Sequence, residues 1–282
     1  MTLERLKIFE KLALFWLELP YFPFQKRIIK IIRKNKTIMT DVYGAKIESF
    51  VGDHISDNLL VQGVYEPLSL KLALSLVSEG DVCVDVGANI GLYSVLLPLK
   101  TGCKVIAFEP NHTTFQVLRR NVVLNNLSEL VVAIPCALSK TAGVVEISLG
   151  SPGNVGGASM IRPGAHMNFS PSLPLSIVLD DLKIDQVKFL KLDVEGAEDL
   201  VLSGVDLGIV HNIIMEWIGT GKTSKVKEFI NSNIYKKHFE NFDVLDVQGR
   251  SFEDIDSFVE YNVYLRKRRN TVKVGQLIED HK

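Results

Sequence analysis

The chain has 282 residues, 46% of them hydrophobic and 23% charged, with a formal net charge of −1. That suits one large α/β domain with an added segment, or two small domains. The near-neutral balance lacks the basic footprint of a nucleic-acid binder. Cys83, Cys103 and Cys136 lie in or beside apolar runs, at spacings that match neither a zinc site nor a disulfide framework. They read as reduced core residues of a cytoplasmic chain.

Residues 1–40 read as a helical and basic amphipathic extension ahead of a main domain over 41–282. Leu3, Leu6, Phe9, Ala13 and Trp16 recur at helical spacing. After Pro20 and Pro23, Ile28, Ile29, Ile31 and Ile32 are interleaved with Lys26, Arg27, Lys30, Arg33, Lys34 and Lys36. The apolar run before them is too short and interrupted to span a bilayer. Two readings follow for residues 1–36: peripheral contact with an anionic membrane, or packing on the domain or on a second subunit of a homo-oligomer. The packing reading is preferred. Residues 40–63 carry β-branched residues and turn signals, which suggest short strands or irregular structure. From Glu66 to Glu79 a stripe of Leu68, Leu72, Leu76 and Val77 predicts a helix, opened by Pro67 and stopped by Gly80.

An alternation of strands and helices then begins. Strand 82–86, helix 91–98, strand 104–108, helix 111–125 and strand 130–134 predict a mostly parallel sheet covered on both faces. A short strand is expected over 144–149. The stretch 150–176 turns to glycine, proline and serine and predicts a long lid or binding loop, with His166 inside it as either a solvated residue or a base carried by the lid. Regular structure resumes at 177–179, with a helix-like stretch over 180–184. Strand 187–192, a helix over 197–203, strand 212–215 and helix 222–231 follow. Two closing strands, 242–247 and 261–265, have no clear helix between them and are expected to run antiparallel.

Five acids fall at strand ends: Asp85, Glu109, Asp193, Glu195 and Glu216. In an open parallel sheet that edge holds the ligand, and an acid about 20 residues after a glycine loop takes a ribose diol. The loop Asp85-Val86-Gly87-Ala88-Asn89-Ile90-Gly91 lacks the Gly-x-Gly-x-x-Gly spacing of dinucleotide sites. A carboxylate two residues before Gly87 would repel a pyrophosphate. It suits a cationic, phosphate-free adenosine ligand, and S-adenosylmethionine is one.

Three runs carry a family resemblance: Val84 to Ser94, then Phe108-Glu109-Pro110, then Leu190-Lys191-Leu192-Asp193-Val194-Glu195-Gly196-Ala197-Glu198. Over about residues 60–266 the chain resembles the FkbM family of S-adenosylmethionine-dependent methyltransferases. The resemblance implies a Rossmann-like class I methyltransferase fold. Its sheet has seven mostly parallel strands, one antiparallel, with helices on both faces. It implies O-methylation of a hydroxyl on a glycan, glycolipid, polysaccharide or natural product. Asp85, Gly87, Asn89 and Gly91 match the loop that holds the methionine end and ribose, and Glu109 matches the ribose acid. Ala137 follows the third strand, where adenine is cradled, but neither it nor its neighbours supply the Asp or Asn often found there. Tyr65-Glu66 also matches a family pattern, with Glu66 facing the methionine end.

Asp193 and Glu195 lie two apart, so in strand geometry both point to one side. They are the candidate catalytic pair, Asp193 orienting donor or acceptor and Glu195 near the acceptor hydroxyl. Glu195 as a helix-capping acid is the plainer alternative. Lys191 either pairs with one of them or reaches solvent. Glu216 fits a structural ion pair equally well, and no metal is predicted. Two other readings stand beside methyl transfer: a non-catalytic S-adenosylmethionine-binding or membrane-associated interaction module, and a nicotinamide oxidoreductase, which the loop spacing disfavours.

Overall fold

The computed structural model describes residues 37–51, 53–149, 166–217, 225–251 and 261–268. The expected extension up to residue 36 and the centre of the Gly/Pro/Ser-rich stretch lie outside them. The first described element is a hairpin, β1 (Thr37–Val42) and β2 (Ala45–Phe50), paired antiparallel. Its two-residue turn, Tyr43-Gly44, has positive φ at both positions (51° and 82°), the twist a tight hairpin needs. Because β1 starts at Thr37, the boundary expected at residue 40 falls inside a strand.

The stretch read as short strands or irregular structure continues as a helix, α1 (His54–Gln62). Asp57 sits in its first turn, where an acid complements the helix dipole. Gly63 closes the helix in the left-handed conformation at φ 73°. Helix α2 (Pro67–Leu76) starts on Pro67 as expected and ends three residues before Glu79.

The central sheet comprises β3 (Val82–Val86), β4 (Lys104–Phe108), β5 (Val131–Ile134), β9 (Val187–Leu192), β10 (Val210–Glu216), β11 (Phe242–Asp246) and β12 (Asn262–Lys267). Its order is β11-β12-β10-β9-β3-β4-β5. β12 runs antiparallel to both of its neighbours, as anticipated for the two closing strands. Between β3 and β5 lie α3 (Leu92–Thr101) and α4 (His112–Leu124). Later come α5 (Leu175–Asp181), α6 (Glu198–Leu202), α7 (Lys225–Asn231) and α8 (Asn233–His238).

A second sheet, ordered β6-β8-β7, joins β6 (Ala137–Leu138), β7 (Gly143–Leu149) and β8 (His166–Leu173). Here the structure corrects the expected loop over 150–176, whose last part is β8 and the start of α5. The strand is held by its register with β7, Gly143 opposite Ser172 through Leu149 opposite His166. Strand pairing outweighs the Pro171 and serines that made the stretch look like a loop.

Strand side chains alternate faithfully between two cores. Cys83, Val105, Ala107, Phe189, Ile214 and Tyr264 pack beneath the hairpin and α1–α4. Val84, Val86, Ile106, Phe108, Leu190, Leu192, Ile213 and Met215 pack on the opposite face under α5–α8. Fully buried Phe108 and Phe189 contribute about 1.5–3 kcal/mol each by leaving water. All three cysteines are free and buried.

Candidate active site

β3 ends in a loop whose backbone only certain residues allow. Gly87, Asn89 and Gly91 all have positive φ, at 76°, 53° and 86°. A Cβ on Gly87 would lie 1.8 Å from the carbonyl oxygen of Asp193, so only glycine lets the β3 and β9 turns close on each other. Gly91 opens α3, and a Cβ there would lie 3.0 Å from Cγ of Leu118. Its role is packing against α4. The Gly87 and Ala88 amides both donate to the Phe108 carbonyl, at 3.0 and 2.9 Å, tying the loop to the end of β4.

Glu109 completes that tie. Its carboxylate accepts the Asn89 amide at 2.7 Å and the Asn111 amide at 2.8 Å. Burial pushes the Glu109 carboxyl up to about 7, against the pull of the Asn111 amide, the Thr114 side chain and the Asn89 amide. Asn89 Oδ1 is buried and has no hydrogen-bond partner among the described residues. A buried acceptor of that kind is costly unless a ligand completes it.

Asp85 takes a different place from the pocket wall. It is 3% exposed and accepts a 2.6 Å hydrogen bond from Ser94. Burial raises its carboxyl to about 6, with Ser94 and Lys191 pulling the other way. It stands beneath the loop, in register with Lys191 of β9.

Lys191 is the centre of the polar layer, 2% exposed. Its ammonium pairs with Glu66 and with Asp193, both at 3.5 Å, and donates to Asn262 at 3.3 Å. Asn262 in turn donates to Ser69 of α2 at 3.0 Å. Glu66, at φ 49° ahead of α2, also accepts the Tyr93 hydroxyl at 2.9 Å. Burial alone would lower the lysine, but Glu66, Asp193, Glu216 and Asp85 outweigh it and hold Lys191 charged well above its ordinary value. Asp193, 27% exposed at its side chain, is raised by burial despite Lys191. Burial and the Asp193 and Glu195 charges raise Glu216 to about 8.

A cavity opens at this edge. Val86, Phe108, Cys136, Leu138 and Ile147 form its apolar walls, and Glu109, Asp193 and Glu195 supply its carboxylates. Ala137, the expected adenine-cradle residue, lines it too. Apolar walls with a few polar groups are the make-up of a small-molecule site. Gly87, Glu109, Ala137, Asp193 and Glu195 therefore meet around one cavity, with Asn89 bound to Glu109. Asp85, Gly91 and Glu66 support it from behind. His166 opens β8, but its side chain lies outside the described residues. Glu195 adopts the left-handed conformation at φ 53°, so it leaves strand geometry after Asp193. It is Glu198, not Glu195, that accepts the Gly196 amide at 3.1 Å. Sequence reasoning missed Ile147, which arrives from the second sheet, and the Asn262–Ser69 arm. The signal for Lys191 was present: a lysine in an otherwise apolar strand. Among the described residues no group of three or more His, Cys, Asp or Glu side chains is arranged to hold a metal ion.

The model of the methyltransferase FkbM domain matches residues 85–267. The methyltransferase sdnD of Sordaria araneosa is 29% identical over 192 residues, covering 56% of this chain and 73% of that protein. The 31-O-demethyl-FK506 methyltransferase FkbM of Streptomyces tacrolimicus is 31% identical over 159 residues, 45% of this chain and 60% of that one. The hexuronic acid methyltransferase AglP of Haloferax volcanii is 29% identical over 149 residues, 52% of this chain and 60% of that one. Among solved structures, the putative rRNA methylase of Clostridium thermocellum aligns at a TM-score of 0.44 and 12% identity, over 71% of this chain and 94% of that chain.

Proposed function

The chain belongs to the methyltransferase FkbM domain family, and from that premise we propose that it is an O-methyltransferase. Its donor is S-adenosylmethionine and its acceptor a hydroxyl on a sugar of a glycan, glycolipid or natural product. The observations that carry this reading are Glu109, which lines the cavity and is fixed by two amides, and Asn89 Oδ1 of the loop bound to it, which has no hydrogen-bond partner among the described residues. A phosphate-free ligand with a diol completes both. The relatives named for hexuronic acid and for a 31-O-demethyl substrate support an oxygen acceptor.

When bound, the donor supplies a methyl group whose leaving group is already in place. Placing the acceptor in line then provides much of the rate. Asp85, Gly87, Asn89, Gly91, Glu109 and Ala137 form or support the adenosine side. Glu66 and Asp193, neutralised in part by Lys191, face the methionine end. Asp193 orients the donor, and Glu195, at the mouth of the same cavity, holds the acceptor hydroxyl. Among the described residues no helix is long and apolar enough to cross a membrane. For residues 1–36 packing on the domain or a second subunit is the preferred reading. The alternative, peripheral contact of a cytoplasmic protein with a membrane that carries a lipid-linked acceptor, is tested by vesicle co-sedimentation, where absence of binding removes it.

The test is mass spectrometry of glycans and glycolipids from cells with and without the protein. A sugar heavier by one CH₂ unit only when the protein is present supports the reading. Identical profiles, together with no turnover on hydroxylated acceptors, contradict it.

A further inference from the structure

Six carboxylates converge on the carboxyl edge of the sheet, and five are engaged. Glu66 takes Tyr93 and Lys191, Asp85 takes Ser94, Glu109 takes two amides, and Asp193 takes Lys191. Glu195 also has an interaction partner. Glu216 alone of the six has no side-chain hydrogen bond or ion pair among the described residues.

Strand register explains how it comes to be there. Met215 of β10 lies beside Leu192 of β9 in a parallel pair, so Glu216 and Asp193, the next residue in each chain segment, leave the sheet side by side. Ile214 lies beside Lys191, which fixes Glu216 on the same face as the lysine and Asp193. On its other side Glu216 stands opposite Asn262, the residue that accepts from Lys191.

We propose that Glu216 is the group that takes the proton from the acceptor hydroxyl, and that it becomes able to do so when the positively charged donor binds. This rests on the methyltransferase reading above. In the reaction the acceptor oxygen bonds to the methyl carbon, the carbon–sulfur bond breaks with its electron pair left on sulfur, and the hydroxyl proton passes to the Glu216 carboxylate. Glu195 keeps the hydroxyl in place, and Asp193 stays committed to Lys191.

The charges around the edge supply the trigger. Facing Glu216 are Tyr65 and Glu66 ahead of α2, Lys191 from β9, and Asp193 and Glu195 from the turn that follows it. Among the described residues, the one ammonium of this layer, Lys191, stands against five carboxyl groups, Glu66, Asp85, Asp193, Glu195 and Glu216. With its carboxyl raised to about 8, Glu216 holds a proton near neutral pH in the free protein. A fixed cation arriving at the same edge favours the carboxylate. Once the methyl has moved the cation is gone and Glu216 is again protonated, so the product leaves an edge restored to its starting charge.

Titration calorimetry in buffers of different ionisation enthalpy, near neutral pH and without acceptor, reads this directly. S-adenosylmethionine carries the sulfonium charge and S-adenosylhomocysteine does not. The wild type is expected to release about half a proton or more in excess with the former. Glu216→Gln is expected to bind both ligands with no such excess, and Glu216→Asp to retain it. An excess that persists in Glu216→Gln, or is missing from the wild type, overturns the proposal. Failure of the wild type to bind either ligand overturns instead the methyltransferase reading beneath it.

Discussion

The two halves of the cavity edge are built on different terms. On the adenosine side nearly every polar group has an assigned partner: loop amides on Phe108 and Glu109, Ser94 on Asp85. Among the described residues what stays open there is the buried acceptor Asn89 Oδ1. On the acceptor side, among the described residues, a single ammonium answers a crowd of carboxylates, and Glu216 has no side-chain hydrogen bond or ion pair. The donor half is thus preorganised by its own backbone, while the acceptor half carries unbalanced charge that a cationic donor, as proposed, would complete.

Removing the ammonium should break the contrast most severely. Lys191→Met strands Glu66 and Asp193 in a buried layer, a change worth about 3–5 kcal/mol. A melting temperature lower by roughly 10 °C is expected above neutral pH. Mild acid should partly restore it, because protonation relieves the stranded carboxylates. An unchanged melting curve would show that Lys191 balances nothing.

Next in size is Glu109→Ala, which deletes the acceptor of two loop amides. S-adenosylhomocysteine should bind about a hundredfold more weakly, since charge-assisted hydrogen bonds are worth roughly 1.5–3 kcal/mol. Wild-type affinity in calorimetry would move the ribose elsewhere.

The donor half should also report its buried acid through pH. Glu109 is raised to about 7 in the free fold, above its usual value near 4.3. Ionisation therefore costs the free protein stability as pH climbs through that window, and the loss levels off above it. A diol donating to the carboxylate favours the ionised form, so binding expels a proton and tightens with rising pH. Affinity for S-adenosylhomocysteine should grow about tenfold from one unit below that value to one unit above. A flat profile would mean that Glu109 is already ionised.

The smallest change is Asn89→Gly. Glycine keeps the left-handed backbone at φ 53° and removes only the orphan carboxamide. Affinity should fall about fivefold, one net hydrogen bond, with no loss of melting temperature. A destabilised variant would mean that Asn89 is structural.

Much of the donor half was legible because its residues are close in sequence. Asp85 to Gly91 and Phe108 to Pro110 declare strand, loop and helix by composition, and the alternation of apolar residues gave the parallel sheet and its antiparallel closure. The acceptor half depends on register between distant strands. No local pattern says that Asn262 meets Lys191, or that Glu216 lies beside Asp193. β8 and α1 were misread for a related reason. Their serines, prolines and acids favour turns locally, and pairing with β7, or a helix dipole closed by Gly63, overrides that preference. The resemblance over Leu190 to Glu198 located the acids but not their order of commitment, which only side-chain geometry reveals.

The central claim is that this edge was shaped for S-adenosylmethionine. Its most direct test is calorimetric competition on the wild-type protein between S-adenosylhomocysteine and NADH. Saturable binding of S-adenosylhomocysteine, undisturbed by NADH and lost in Glu109→Ala, is the predicted result. Preferential binding of NADH, or binding of S-adenosylhomocysteine indifferent to Glu109, would contradict it.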